Sequence, residues 1–348
     1  LIRALSVVLA LTLVAAGSAA AQTRSGESAA KSARATPAAA PSAARKPASA
    51  KRASAPRRKS ERRRPVRPSE GQLAGLHRTD DPLDLRSSVA LVVDQDTHQV
   101  LFEKNPDAVL PIASITKLMT ALVTLDADLP LDEVLVVTRH DRTIDRVASR
   151  LRPGVRLTRA QALHLALMSS ENHAAQLLGR TYPGGLRAFV EAMNAKAQML
   201  GMHDTRFADP TGLSADNRSS PGDLVRLVMA AYEYEEIREF SVSGELTLAV
   251  GKRQVRYGNT NRLTSHPDWE IGLQKTGFIS AAGRCLVMQA VIDGQRVVLV
   301  LLDSVGKHSR IGDAKRIRDW LVSRAIYAPR SGAPLAVAEP AAADAAAF

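Results

Sequence analysis

The chain is short of several things, and each shortage removes a class of protein. It has one cysteine in 348 residues, Cys285. No intramolecular disulfide can staple it, and a lone thiol inside the apolar run "CLVMQAVI" reads as core rather than catalyst. Histidines are few, and His140, His164 and His173 have no second imidazole or carboxylate at a ligand spacing. No metal and no cofactor is therefore expected. No histidine–aspartate pairing signals a chymotrypsin-like triad. No apolar run reaches the roughly 20 residues that a membrane span prefers. Internal repeats are also absent.

Acidic residues are in deficit too: 35 Asp and Glu face 47 Lys and Arg, a formal net charge of +12. Where that charge sits decides its meaning. Residues 1–21, "LIRALSVVLALTLVAAGSAAA", carry one arginine, an apolar run and small residues ending at Ala21, the pattern of a secretory signal peptide cut before Gln22. Residues 22–85 are rich in Ala, Pro, Ser, Lys and Arg, densest in "KRASAPRRKSERRRPVRP", and show neither helical nor strand period. Such a segment buries too little apolar surface to offset its ordering entropy, so a disordered basic arm is expected. Behind an export signal its candidate partners are anionic envelope polymers or a membrane surface rather than nucleic acid, or it is a solvated spacer. Export without disulfides points to a periplasmic protein that is stable by its core alone.

The remaining chain, 45% hydrophobic overall, has the material for such a core. "SSVALVVDQDTHQVLFEKN" reads as a strand hairpin. A helical middle follows, with a capping box at Thr158/Gln161 and a capped start at Ser220-Pro221 with Asp223. Strand patterns return in "GELTLAV", "QVRYGN", "WEIGLQKTGFIS", "RCLVMQAVI" and "RVVLVLLDS", the last two joined by a tight "DGQ" connection. A helix, "HSRIGDAKRIRDWLVSRAIY", closes the domain, expected over residues 86–327. Residues 328–348 form an Ala/Pro tail without the alternating faces of a membrane-surface helix. Strands at both ends and helices between them imply an α+β domain with an antiparallel sheet.

Three short motifs carry the chemistry. In "PIASITKLMTALVTLD", Ser114 and Lys117 are i and i+3 at the start of an amphipathic helix, neighbours on one face. A hydroxyl attacks a carbonyl only if something takes its proton, and a neutral amine in hydrogen-bond reach does so. Lysine then needs a pKa lowered by desolvation or a second cation. S-x-x-K alone is weak, since it recurs at Ser28/Lys31 and Ser304/Lys307, neither opening an amphipathic helix. Added weight comes from Ser170-Glu171-Asn172 in the helical middle and Lys275-Thr276-Gly277 on a strand, where glycine lets a substrate backbone approach. The ordered triple is the set shared by class A β-lactamases and penicillin-binding proteins.

With "HLALMSSENHAAQLLGRTYPGG", "MNAKAQMLGMHDTRFADPTGLS", "NTNRL" and "WEIGLQKTGFISAAGRCLVMQA", the chain resembles a low-molecular-mass penicillin-binding protein of the D-alanyl-D-alanine endopeptidase branch. The resemblance implies a β-lactamase/transpeptidase-like fold, with a five-stranded antiparallel sheet, flanking helices and a helical lobe. It also implies hydrolysis of D-alanyl bonds in peptidoglycan stems and crosslinks, and acylation by β-lactams. Carried over residue by residue, Ser114 is acylated, Lys117 is its base, and Ser170 and Asn172 line the cleft. Lys275 supplies positive charge, Thr276 meets the substrate carboxylate, and the Ser114 and Phe278 N–H groups form the oxyanion hole beside Gly277. Arg310 falls at a carboxylate-binding arginine. Glu171 stands where an aspartate is commoner. Two rival readings stay open, a serine β-lactamase and a catalytically silent wall-binding protein.

Overall fold

The computed structural model describes residues 67–323 except 144–148 and 252. The signal peptide, most of the basic arm and the tail expected from the sequence lie outside the described residues. Five strands form the central sheet: β1 (Ser87–Asp94), β2 (Val100–Lys104), β3 (Glu270–Ile279), β4 (Gly283–Ile292) and β5 (Gln295–Ser304). Their order is β2-β1-β5-β4-β3, antiparallel throughout. The N-terminal hairpin thus docks onto the last strand, as its sequence position requires. Asp293 and Gly294 at the β4–β5 turn both have positive φ, the backbone of a two-residue hairpin turn whose twist matches the strands it joins.

Both faces of this sheet are covered. Along β1 every residue is buried, and alternate side chains enter different cores. Val89, Leu91 and Val93 join a large core with the helices, whereas Ala90 and Val92 pack with Leu286, Met288 and Leu301. That is why these strands read as near-continuous apolar runs rather than as alternation. The helices are α1 (Lys117–Asp126), α2 (Arg159–Met168), α3 (Asn172–Arg180), α4 (Gly185–Met199), α5 (Pro221–Tyr232), α6 (Glu235–Val242) and α7 (Ser309–Ser323). The first six contribute to the large core, and α7 covers the other face through Ala314, Ile317 and Leu321. The expected capping box at Thr158/Gln161 closes both ways, and the Ser220 side chain accepts from the Asp223 N–H at the start of α5.

The domain begins earlier than Arg86, which corrects the expected boundary. A short helix, Glu70–Leu73, opens with a reciprocal capping box at Ser69/Gln72. The Glu70 N–H donates to the Ala281 carbonyl at 2.9 Å, and Arg218 pairs with Glu70 at 2.6 Å. Further on, Lys104 Nζ lies 2.8 Å from Asp81 and both side chains are buried. This segment has few apolar residues, so periodicity misses it. It is held instead by polar groups that find partners far along the chain.

Candidate active site

From Leu110 to Thr124 every residue but one is buried, and the exception is Ser114. The chain reaches it through a 3₁₀ turn, Ala113–Thr116, in which the Thr116 hydroxyl donates to the Ala113 carbonyl at 2.8 Å. Helix α1 starts only at Lys117. The expected neighbours are therefore neighbours through a tighter geometry, since i and i+3 side chains eclipse in a 3₁₀ turn. Ile115, Leu118, Met119 and Leu122 are fully buried in the large core, which fixes the turn and leaves the serine at its open side.

Lys117 is itself wholly buried. Its Nζ lies 2.9 Å from Ser114 Oγ, 2.7 Å from Asn172 Oδ1 and 2.5 Å from the Thr211 carbonyl. An ammonium would spend all three protons on these oxygens. A neutral amine keeps two donors for Asn172 and Thr211 and turns its lone pair on the serine hydroxyl, the arrangement a base requires. Asn172 is the first residue of α3, capped by the Glu171 side chain. Ser170 lies in the helical middle, as the sequence suggested, but between two helices. It occupies the break between α2 and α3 with φ of 59°, a left-handed conformation that a non-glycine residue rarely adopts. Glu171 acts on the helix end, which fits a middle residue without a part in the chemistry.

The other wall is β3, the edge strand of the sheet. Gly277 is there because nothing larger fits: a Cβ on it would lie 2.9 Å from the Ile112 carbonyl oxygen and 3.1 Å from the Ser114 nitrogen. The K-T-G segment and the nucleophile's own backbone are thus in direct apposition. Thr276 Oγ1 shares a 2.7 Å hydrogen bond with Thr260 Oγ1. Lys275 Nζ donates to the Thr276 carbonyl at 2.9 Å. Complete burial, then the neighbouring Lys117 and Arg310 charges, push the Lys275 amine well below its ordinary value. Arg310, at the start of α7, donates through Nη1 to the Gly277 carbonyl at 3.1 Å, while its Nε is buried without an acceptor among the described residues. The structure thus brings Ser114, Lys117, Asn172, Lys275, Gly277 and Arg310 to one place, with Thr276 and Phe278 on either side of Gly277 and Phe278 exposed.

Sequence reasoning missed a third contributor, the loop "DPTGLS". Asp209 accepts from the N–H groups of Thr211, Gly212 and Ser214 at 2.6, 2.8 and 3.0 Å, from the Thr211 hydroxyl at 2.5 Å and from Asn217 Nδ2 at 2.7 Å. Burial pushes this carboxyl upward, but the hydrogen bonds outweigh it and hold the group below the usual carboxylate range. The loop delivers the Thr211 carbonyl to Lys117 and the Pro210 carbonyl to Thr120 Oγ1 at 2.7 Å. Gly212, with φ of 79°, lies so near the Ala113 carbonyl that a Cβ would come within 2.0 Å of its oxygen. A sequence signal existed, a D-P-x-G turn, but a main-chain acceptor has no side chain to advertise it.

Elsewhere, a cavity of about 540 Å³ is lined by Asp81, Asp84, Arg86 and Lys104 and includes none of the motif residues. Cys285 is buried and its thiol is pushed up to about 12, burial being the first cause, so it is inert packing. No group of three metal-binding side chains occurs among the described residues.

Set against known proteins, residues 76–306 match the family model described as D-alanyl-D-alanine carboxypeptidase, peptidase family S11. The chain belongs to that family. Two relatives carry the name D-alanyl-D-alanine endopeptidase. The one from Pseudomonas aeruginosa is 50% identical over 241 residues, 68% of this chain and 78% of its own. That from Escherichia coli K12 is 46% identical over the same shares of the two chains. Among solved structures, penicillin-binding protein D2 of Listeria monocytogenes in its ampicillin-bound form matches with a TM-score of 0.61 and 29% identity, covering 69% of this chain and 98% of that one. As a serine DD-peptidase of family S11 with the transpeptidase-like fold, the chain has the architecture its motifs implied. No helix among the described residues is long and apolar enough to cross a membrane.

Proposed function

We propose that the protein is a periplasmic serine D-alanyl-D-alanine endopeptidase with carboxypeptidase capacity, acting on peptidoglycan stems and crosslinks through an acyl-enzyme on Ser114. The observation that carries this reading is the 2.9 Å contact between Ser114 Oγ and a buried Lys117 Nζ that also meets Asn172 Oδ1 and the Thr211 carbonyl oxygen. Lys117 takes the hydroxyl proton as Oγ adds to the carbonyl carbon of the D-alanyl residue. The oxygen that becomes negative faces the N–H groups of Ser114 and Phe278, donors worth about 3–4 kcal/mol each at such sites. Collapse breaks the C–N bond, and the departing amine takes the proton held by Lys117. Water then adds to the ester by the same base and releases the shortened stem. Lys275, Thr276 and Arg310 receive the carboxylate of the leaving residue, and an arriving carboxylate favours the protonated form of Lys275. β-lactams enter the same route and stop at the ester.

The endopeptidase emphasis rests on the names of the two relatives near half identity, and the periplasmic address on residues 1–21 of the sequence. Three measurements test the whole. Mass spectrometry of penicillin-treated protein is expected to find one adduct, on Ser114; an unlabelled Ser114 overturns the reading in favour of a silent wall-binding protein. Purified enzyme is expected to convert crosslinked muropeptide dimers to monomers. Release of terminal D-alanine alone removes the endopeptidase label, and rapid turnover of a chromogenic cephalosporin makes the protein a β-lactamase.

A further inference from the structure

Thr260 ties the helical wall of the cleft to its strand wall. It follows a two-stranded ribbon, Glu245–Val250 and Arg253–Gly258, that is separate from the central sheet. Its backbone N–H donates to the carbonyl of Met168, the last residue of α2, at 3.1 Å. Its hydroxyl lies 2.7 Å from that of Thr276 on β3. The preceding residue leaves it little freedom. Asn259 Nδ2 donates to the Ser241 and Ser243 carbonyls at 2.9 and 2.8 Å, and its Oδ1 accepts from the Asn261 N–H at 2.8 Å and from Gln274 Nε2 at 3.0 Å. Thr260 is exposed, whereas Thr276 is only 4% exposed. Water serves an exposed hydroxyl equally well, so the inward turn of this one onto a buried neighbour is of use to the neighbour.

That use follows from counting protons. A hydroxyl has one hydrogen to give and two lone pairs to accept with. In one arrangement Thr276 donates to Thr260, which donates on to the Met168 carbonyl at 3.4 Å. Thr276 then offers only lone pairs to the cleft, and these repel a carboxylate. In the other arrangement Thr260 donates to Thr276, and the Thr276 hydrogen is released toward the cleft. The Met168 carbonyl gives up the longer of its two bonds to Thr260 and keeps the N–H. A hydroxyl that accepts in this way is also the stronger donor. We propose that Thr260 is a positioning residue, which turns the proton of Thr276 toward the terminal carboxylate of the substrate and so sharpens the preference of the enzyme for a charged end. The assignment rests on the peptidase reading, which places that carboxylate at Lys275, Thr276 and Arg310. An arriving negative charge selects the second arrangement, because it replaces a long bond to a carbonyl with a charge-assisted one.

The test uses the full chain and two synthetic stem peptides that end in D-alanyl-D-alanine, one with a free terminal carboxylate and one amidated there. Rates are expressed per folded molecule, counted from the amplitude of the urea transition, so a poorly folded variant is not mistaken for a slow one. The unaltered enzyme is expected to favour the free acid in kcat/KM. Thr260→Ala is expected to shrink that preference about fivefold, the contribution of one ordinary hydrogen bond, through a higher KM for the acid. Thr260→Ser, which restores the hydroxyl, is expected to recover most of it. The sharpest comparison is with Thr276→Ala. Adding Thr260→Ala to that variant should change nothing further, because the outer hydroxyl works only through the inner one. A merely structural Thr260 would lower both donors alike and add its cost to that of Thr276→Ala. Either result overturns the assignment, as does an acid-to-amide ratio that Thr260→Ala leaves unchanged or that is already unity in the unaltered enzyme. Failure of the unaltered enzyme to turn over either donor while penicillin still labels Ser114 overturns the peptidase reading, and the role of Thr260 with it.

Discussion

Two buried lysines a short sequence distance apart live under opposite rules. Lys104 on β2 has a carboxylate, Asp81, at 2.8 Å and the Leu85 carbonyl at 3.1 Å, and the pair ties the first folded segment to the sheet. Lys117, one turn beyond Ser114, faces a hydroxyl, an amide oxygen and a main-chain oxygen. Across the cleft Lys275 has only the Thr276 carbonyl as its hydrogen-bond acceptor among the described residues. A buried cation beside an anion is a structural tie whose proton is not for use. A buried amine beside neutral dipoles can give or take one, and an amine left with a dipole alone takes up a proton more readily once a negative charge arrives from outside.

The comparison is broken most severely at the reacting pair. Ser114→Ala and Lys117→Ala are each expected to lower acylation by fluorescent penicillin and muropeptide cleavage by about 10⁴-fold or more, and the double variant to be no worse, because the two act as a unit. Next comes the structural pair. Asp81→Ala strands a buried ammonium and should cost about 3–5 kcal/mol in denaturant unfolding, while penicillin labelling per folded molecule persists. Asp81→Leu with Lys104→Met should recover most of that loss. If Asp81→Ala abolishes labelling of folded protein, the division between tie and reagent is wrong.

Asp209→Ala tests whether the cleft's neutral dipoles are themselves held in place. It removes the acceptor of five hydrogen bonds and should cost about 1–3 kcal/mol through the donors left behind. It should also slow acylation, because the Thr211 carbonyl is no longer pinned against Lys117. Acylation at the normal rate by a destabilised Asp209→Ala would reduce that loop to scaffold. The smallest effect concerns pH. The folded state holds Lys275 below its ordinary 10.5, so between its folded and unfolded values the unfolded chain binds more protons and stability rises with pH. The penalty is whole below the folded value and fades as pH climbs toward the unfolded one. Lys275→Met should therefore be inactive yet no less stable at neutral pH. Its stability difference from the unaltered protein, read by urea denaturation at pH 7 and pH 9.5, should shrink with alkalinity. A difference that grows would mean that Lys275 is charged and anchored like Lys104.

Much of this was legible because it rests on local rules. Strand period, the Thr158 and Ser220 caps, and an Asp-Gly turn all act within a few residues, and they placed the sheet and its helices. Ser114, Lys117, Asn172 and Lys275 were legible because the chemistry demands particular side chains in a particular order. Three features were not. Ser170 sits at the break between α2 and α3 in "LMSSENHAA", which the sequence placed only within a helical middle, and its left-handed backbone marks the interruption. The Thr211 carbonyl serves the base through the main chain, which every residue shares. The segment before Arg86 is held by Asp81–Lys104 and Glu70–Arg218, ties across long stretches of chain that no local window can see.

The open border of β3 has one more consequence. A sheet that ends in an unpaired strand is a standing invitation to the same strand of another copy, the route by which many proteins stick to themselves. Here Arg284 of β4 and Arg310 of α7 lie beside the C-terminal end of that border, so two such borders would meet positive to positive and part again. An extended ligand that brings its own negative ends meets no such objection. The row of cations thus works as a doorkeeper, turning away kin and admitting the cell-wall strand.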